Sequence, residues 1–364
     1  MKDPLELLHV HLAESEDGQP ASFSHYTMPD STVKAAGGDL VLRDSRESQA
    51  PRNLTMLVSL AGHTDAGSLS EQLAETLLGG LPHKQLASFG VDELFDYRSR
   101  RPRVKFTDHR FSDYEGPELN LYEVRDAVGR PFLLLTGDEP DFQWERVTQA
   151  VLALTERLDV SLVVLVDSLG LPVPHTRPLG VTAHGSRGDL IDGISTWSPD
   201  AQIEAGLAQV LEMRLDEEGH DVAGYTLHVP HYLAAGKYPQ AAVAALEYSG
   251  AALELMLPTD ELREAARVVD QEISVQVSRN DEVQGLVERL ERKFDEQATT
   301  APRSLLVKDD DVVPDAEELG AAVEEYLRNQ PANSDSADEQ FPGVYSPEES
   351  EDETDSEDEP PRQR

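Results

Sequence analysis

The chain has 364 residues, 70 of them acidic against 31 basic, giving a formal charge of -39 at pH 7. Nucleic acids and anionic membranes are bound by clustered lysine and arginine, so this charge argues against both as partners. With no cysteine, disulfides, thiolate metal sites and a cysteine nucleophile are excluded, in keeping with a reducing compartment.

Met1-Lys2-Asp3-Pro4-Leu5-Glu6 has neither a basic start nor a continuous apolar stretch, and no signal peptide is expected. No run approaches the roughly 20 apolar residues that span a bilayer, which makes a cytoplasmic protein the expectation. A short helix is predicted over residues 4–12 and a strand near 40–42. Residues 54–60 form an apolar strand that empties into Ala61-Gly62-His63-Thr64-Asp65-Ala66-Gly67-Ser68, after which 69–78 has helical spacing. Residues 118–125 alternate as a strand does, and 131–136 are a short apolar run. Val147, Val151, Leu154 and Leu158 predict a helix over 143–158, followed by a strand over 161–166. A helix over 201–216, a strand over 225–229 and an Ala-rich helix over 239–249 complete the pattern. Nearly all-apolar strands alternating with helices imply a three-layer α/β sandwich, a mostly parallel sheet covered on both faces.

Residues 259–296 are charged and helical, with Val269, Ile273, Gln276, Asn280, Val283, Val287, Leu290 and Phe294 in alternating steps of four and three. Ser278-Arg279-Asn280-Asp281 interrupts them, and Asn and Asp cap helices well, which predicts two antiparallel helices joined near Asn280. A last helix is expected over 314–328. After Pro331 the chain turns to Asp, Glu, Ser and Pro, too poor in apolar groups to offset the entropy of ordering, and disorder is expected. The division is then a core of residues 1–258, a helical extension of 259–330 and an acidic tail of 331–364.

Ligands and partners of open α/β sheets gather at the carboxyl ends of the strands, which here carry unusual polar loops. Gly62, Asp65 and Gly67 precede a helix whose N-terminus can meet an anion, although the segment matches neither the Walker A nor the GxGxxG spacing. Gly137, Asp138, Glu139, Asp141, Gln143 and Trp144 follow the 131–136 strand. The three carboxylates can suit a divalent metal, acid–base chemistry or a partner, but beside Pro140 they are better read as capping the helix that follows, with Trp144 packed. His175 and Arg177, between Pro174 and Pro178, can present a cationic pair to a carboxylate or phosphate, and His184 joins them if the strands are neighbours. A surface salt bridge explains Arg177 as well. His228 and His231 lie on a strand and turn that does not bring both rings to one face, so no zinc site is expected. Gly185-Ser186-Arg187-Gly188 fails the GxSxG nucleophile elbow. No metal, cofactor or catalytic residue is expected.

Several separated segments resemble the proteasome assembly chaperone 2 family in its actinobacterial form. They are Gly137 to Arg146, Pro174 to Pro178 leading into Thr182-Ala183-His184-Gly185, and Val229-Pro230-His231-Tyr232-Leu233 ahead of Tyr238-Pro239. The Gly62 to Gly67 turn, Asp92 to Arg98 followed by Arg101-Pro102, and the helical pair before residue 296 resemble it too. The resemblance implies a phosphorylase-like α/β sandwich, a homo-oligomer and a non-enzymatic, chaperone-like role. It implies a protein partner, a proteasome component in characterised relatives, met through strand-end loops and helices that include His231 and Tyr232. The alternative is an enzyme or small-molecule-binding protein using a phosphorylase-like cleft near Asp138, His175 and Arg177.

Overall fold

The computed structural model describes residues 3–11, 34–35, 38–39, 54–195 and 202–297. In chain order the elements are β1 (Leu8–Val10), β2 (Lys34–Ala35), β3 (Gly38–Asp39), β4 (Leu54–Ala61), α1 (Leu69–Gly80), β5 (His83–Phe89), α2 (Val91–Leu94), β6 (Arg103–Thr107), β7 (Arg110–Glu115), β8 (Leu119–Arg125), β9 (Pro131–Asp138) and α3 (Trp144–Arg157). They continue as β10 (Val160–Leu171), β11 (Gly180–Gly185), α4 (Gly188–Ile191), α5 (Leu207–Glu217), β12 (Val222–Pro230), α6 (Pro239–Leu253), α7 (Asp260–Ser278) and α8 (Asp281–Gln297).

The apolar runs become the centre of an eight-stranded sheet ordered β1-β5-β8-β9-β4-β10-β12-β11. Its middle strands β9, β4, β10 and β12 are parallel. The flanking pairs, β1 with β5, β5 with β8, β8 with β9, and β11 with β12, are antiparallel. Alternation along β4 divides the core. Leu54, Met56, Val58 and Leu60 face Val147, Val151, Leu207 and Leu211 of α3 and α5. Leu57 lies in the opposite cluster with Leu69 and Leu73 of α1 and Ala241 and Ala245 of α6. The sheet is thus the middle layer of an α/β sandwich.

Three expectations are corrected or set aside. In place of a helix over 4–12 there is one 3₁₀ turn, Pro4–Leu7, and then β1, because Leu8 to Val10 complete the sheet edge against Phe89 to Ala87 of β5. The helix expected over 201–216 begins at Leu207, because Gly206 at the N-cap position is extended. Residues 40–42, 314–328 and 331–364 lie outside the described residues. The helical break falls where the cap chemistry places it: the Asn280 carboxamide oxygen accepts from the Glu282 and Val283 N–H groups at 3.0 and 3.2 Å, starting α8.

Candidate functional site

Ala61 at the end of β4 lies opposite Asp138 of β9, so the loops that leave these parallel strands meet. Glu139 fills the junction. Its N–H donates to the Ala61 carbonyl (2.8 Å), one carboxylate oxygen accepts from the Leu207 N–H (2.5 Å), and the other accepts from the His63 N–H (3.2 Å). The side chain is buried, and a Cβ on Gly62 or Gly206 would stand 2.3 and 2.6 Å from its two oxygens. Those glycines exist to let the carboxylate through.

The three carboxylates therefore do not cap the helix that follows them, as the sequence suggested. Glu139 caps α5 instead, whereas α3 starts from Gln143 in a left-handed conformation with no side-chain cap. Asp138 accepts from the Glu118 N–H (3.0 Å) and pairs with Arg100 (3.3 Å). Asp141 accepts from the Asp96 N–H (2.7 Å) and meets the same guanidinium at 3.5 Å. Gln143 donates to the Glu93 carbonyl (2.8 Å), and Trp144, half-buried, donates its indole N–H to the Pro140 carbonyl (2.5 Å). The loop clasps residues 93–100: Asp138 and Asp141 converge on the Arg100 guanidinium, while Glu139 turns to the start of α5. Gly137, at φ 134°, is required because a Cβ would fall 2.1 Å from the Glu118 carbonyl oxygen.

The turn after β4 is equally committed. The N–H groups of His63, Ala66, Gly67 and Ser68 donate to Glu139, Ser168, Ala234 and Asp65 respectively, leaving none of these four for an anion. Asp65 accepts from the Ser70 N–H at 2.8 Å in the first turn of α1, and burial raises its pKa against that hydrogen bond. Gly67, at φ 76°, abuts Tyr238 and so ties the turn to the start of α6.

After β10, the structure joins His175 to Tyr232: the phenol lies 3.0 Å from the His175 N–H and 2.8 Å from Nδ1. Burial lowers the His175 pKa despite nearby Asp270 and Glu291. His231 reaches the Leu171 carbonyl at 3.3 Å. Arg177 is not presented to a ligand: Asp295 of α8 takes it bidentately at 2.8 and 2.7 Å, and Glu291 adds 3.3 Å. His184 does not join this group. Its register partner is Gly224, six residues before the end of β12, or roughly 20 Å back along the strand.

His184 belongs instead to a polar layer that sequence patterning passed over. On the α5 side of the sheet, alternation places Asp167 of β10, Thr226 and His228 of β12, and Thr182 and His184 of β11 where apolar residues would continue the core. His184 Nδ1 lies 2.7 Å from Glu212 of α5 and Nε2 lies 3.1 Å from the Thr226 hydroxyl. Burial alone would lower the His184 pKa, but the hydrogen bond and charge of Glu212, with the charge of Asp167, raise it. Asp167 is fully buried and its pKa is raised by that burial, against the pull of Thr226, His184, Thr64 and Gln209. Gln209 of α5 donates to it at 2.5 Å. His228, hydrogen-bonded to Thr182 at 2.8 Å, is pushed down to about 4 by burial. The legible signal was Gly224, Thr226 and His228 at alternate positions of β12, and Asp167 directly after the apolar run 162–166. The network fixes α5 over the strand ends. An open cleft of about 530 Å³ lies elsewhere at this end of the sheet, between β5 and β8, lined by His9, Gln85, Ser88, Asp92, Glu118 and Asn120 among others.

A family model described as the PAC2 family matches residues 59–277. The crystal structure of the Mycobacterium tuberculosis protein of unknown function Rv2714 is 41% identical, over 68% of this chain and 87% of that one, with a TM-score of 0.65. A Corynebacterium glutamicum protein of unknown function is 35% identical over 70% of this chain and 94% of that one, again at 0.65. The M. tuberculosis proteasome-assembly chaperone homologue Rv2125 shares the fold at 22% identity, covering 64% of this chain and all of that one, with a TM-score of 0.59. No curated protein matches.

Proposed function

The chain belongs to the PAC2 family, and from that premise we propose that it is a non-enzymatic, chaperone-like interaction factor that works as a homo-oligomer in the cytoplasm and holds a protein partner through its strand-end loops and helices. One observation carries this: the polar side chains at the strand ends are spent on their own chain. Arg100 is held by Asp138 and Asp141, Arg177 by Asp295 and Glu291, Glu139 by two backbone N–H groups and His184 by Glu212. Catalysis needs groups turned toward a reacting atom, whereas these build a rigid, shaped surface. A proteasome component is the partner class, supported by the name of the Rv2125 homologue that shares the fold. Among the described residues, no helix is long and apolar enough to cross a membrane.

The rival cleft enzyme would pool Asp138, His175 and Arg177, but these have different partners, on the 93–100 segment, Tyr232 and α8. The test is affinity purification of the full chain from its host with quantitative mass spectrometry, beside an Asp138→Ala/Asp141→Ala variant that unclasps Arg100. Recovery of proteasome subunits by the wild type, reduced in the variant, is expected. Recovery of the protein alone would sink the assembly role.

A further inference from the structure

At the ends of β5 and β8 the structure keeps an open cleft of about 530 Å³, within the roughly 300–1,000 Å³ of sites that hold one small molecule. Its base is a cross-strand row. Register sets His9 of β1 opposite Ser88 of β5, and Ser88 opposite Asn120 of β8, so the three side chains share one face of the sheet. Asn120 is buried and acts as a relay: its carboxamide oxygen accepts from Gln85 (2.8 Å), and its NH₂ donates to Glu118 (2.9 Å), which orients that carboxylate at the cleft. Phe89, Val91 and Leu119 add an apolar wall.

Two carboxylates of this cleft differ from the others at the strand ends. Asp138 and Asp141 are neutralised by Arg100, and Glu93, on the cleft's own rim, by Arg146 at 2.8 Å. Asp92 and Glu118 take only neutral side-chain donors, the Tyr97 phenol at 2.6 Å and the Asn120 carboxamide, and neither has an ion-pair partner among the described residues. The phenol's pKa is pushed up to about 12, chiefly by that hydrogen bond, so it stays neutral and leaves the Asp92 charge unmatched. Two unmatched charges of one sign beside low-dielectric walls focus a field that concentrates cations. Among the described residues no three His, Asp or Glu converge to hold a metal ion. An organic cation, by contrast, offers N–H donors to the separate acceptors Asp92, Glu118 and Ser88 and an alkyl stem to the apolar wall. We infer that the cleft binds an organic cation, an ammonium or guanidinium group on an aliphatic stem, with Glu118 and Asp92 as its charge partners. The site adds a ligand to a chain whose other strand-end polar groups are spent on one another.

The test is isothermal titration calorimetry of the full chain, at about 0.1 M salt, with agmatine, spermidine and the capped peptide acetyl-Gly-Arg-Gly-amide. Saturable binding at a single site is expected. Glu118→Gln, Asp92→Asn and Ser88→Leu should each weaken it at least about ten-fold. The first two remove charge but keep the oxygen that Asn120 or Tyr97 uses, and the third fills the cleft with charge unchanged. Glu272→Gln, which removes one charge from the exposed face of α7, should leave binding as it is. Matching circular dichroism would verify that all four variants fold. Tighter binding of the peptide assigns the cation to an arginine side chain of a protein, and tighter binding of agmatine or spermidine assigns it to a free amine; either upholds the site. No saturable binding of any probe, or cleft variants that bind like Glu272→Gln, would leave only diffuse attraction to an acidic chain and overturn the assignment.

Discussion

Glu139→Ala should be among the most destabilising single changes at the strand ends. The carboxylate satisfies the buried Leu207 N–H at 2.5 Å and the His63 N–H at 3.2 Å, and its negative charge sits on the N-terminus of α5. Stranding a buried donor costs about 1–3 kcal/mol, more when the lost acceptor is charged, and losing an N-cap costs about 1 kcal/mol. The two contacts together are worth about 3–5 kcal/mol. Glu139→Gln keeps a carbonyl for Leu207 but turns an NH₂ toward the His63 N–H, which predicts about 1–2 kcal/mol. Urea unfolding followed by circular dichroism, with an unchanged denaturant slope, measures both. The geometry also predicts coupling: Gly62→Ala collides with this carboxylate, so its cost should fall by at least about 1 kcal/mol in the Glu139→Ala background. An alanine variant within about 0.5 kcal/mol of wild type, with additive doubles, would refute the account of Glu139 as the pin between the β4 turn and α5.

Gly137→Ala, whose new methyl would overlap the Glu118 carbonyl at φ 134°, should cost more than about 3 kcal/mol and is checked by the same unfolding assay. The His184 and Glu212 pair predicts a pH dependence. Because the folded pKa of His184 is raised above its ordinary 6.5, the stabilisation is fully present below that value and fades as pH rises through the folded pKa. The stability gap between wild type and Glu212→Gln, measured from acid to mildly alkaline pH, should therefore shrink with increasing pH; a gap that widens would contradict the pairing. Asn280→Ala removes the α8 cap and should cost about 1 kcal/mol, read as lowered thermal stability. Arg177→Ala releases Asp295 and Glu291, and faster amide hydrogen exchange along α8 is the expected readout.

The strands of the parallel centre were visible in the sequence because a strand buried on both faces must be apolar almost throughout, as 54–60 and 161–166 are. The break at Asn280 was visible because capping is local: the residue and the N–H groups it satisfies lie within three positions. The family segments were visible for a related reason, since Gly137 to Arg146 and Pro174 to Pro178 are short strings whose residue types stand out in any context.

What escaped the sequence depends on partners distant along the chain. Residues 8–10 carry a helix-compatible pattern, and only the free edge of β5 makes them a strand. Asp138, Glu139 and Asp141 sit where caps belong, yet the donors they take come from residues 118, 207, 63 and 96. Arg177 reads as a ligand-binding cation until Asp295, 118 residues later, is folded against it. Composition and periodicity determine which segments must be buried and in what secondary structure, because each residue's transfer from water and local backbone preference are its own. Which charges neutralise one another was decided only by the tertiary structure, because a hydrogen bond or ion pair is a property of two positions that sequence distance does not bring together.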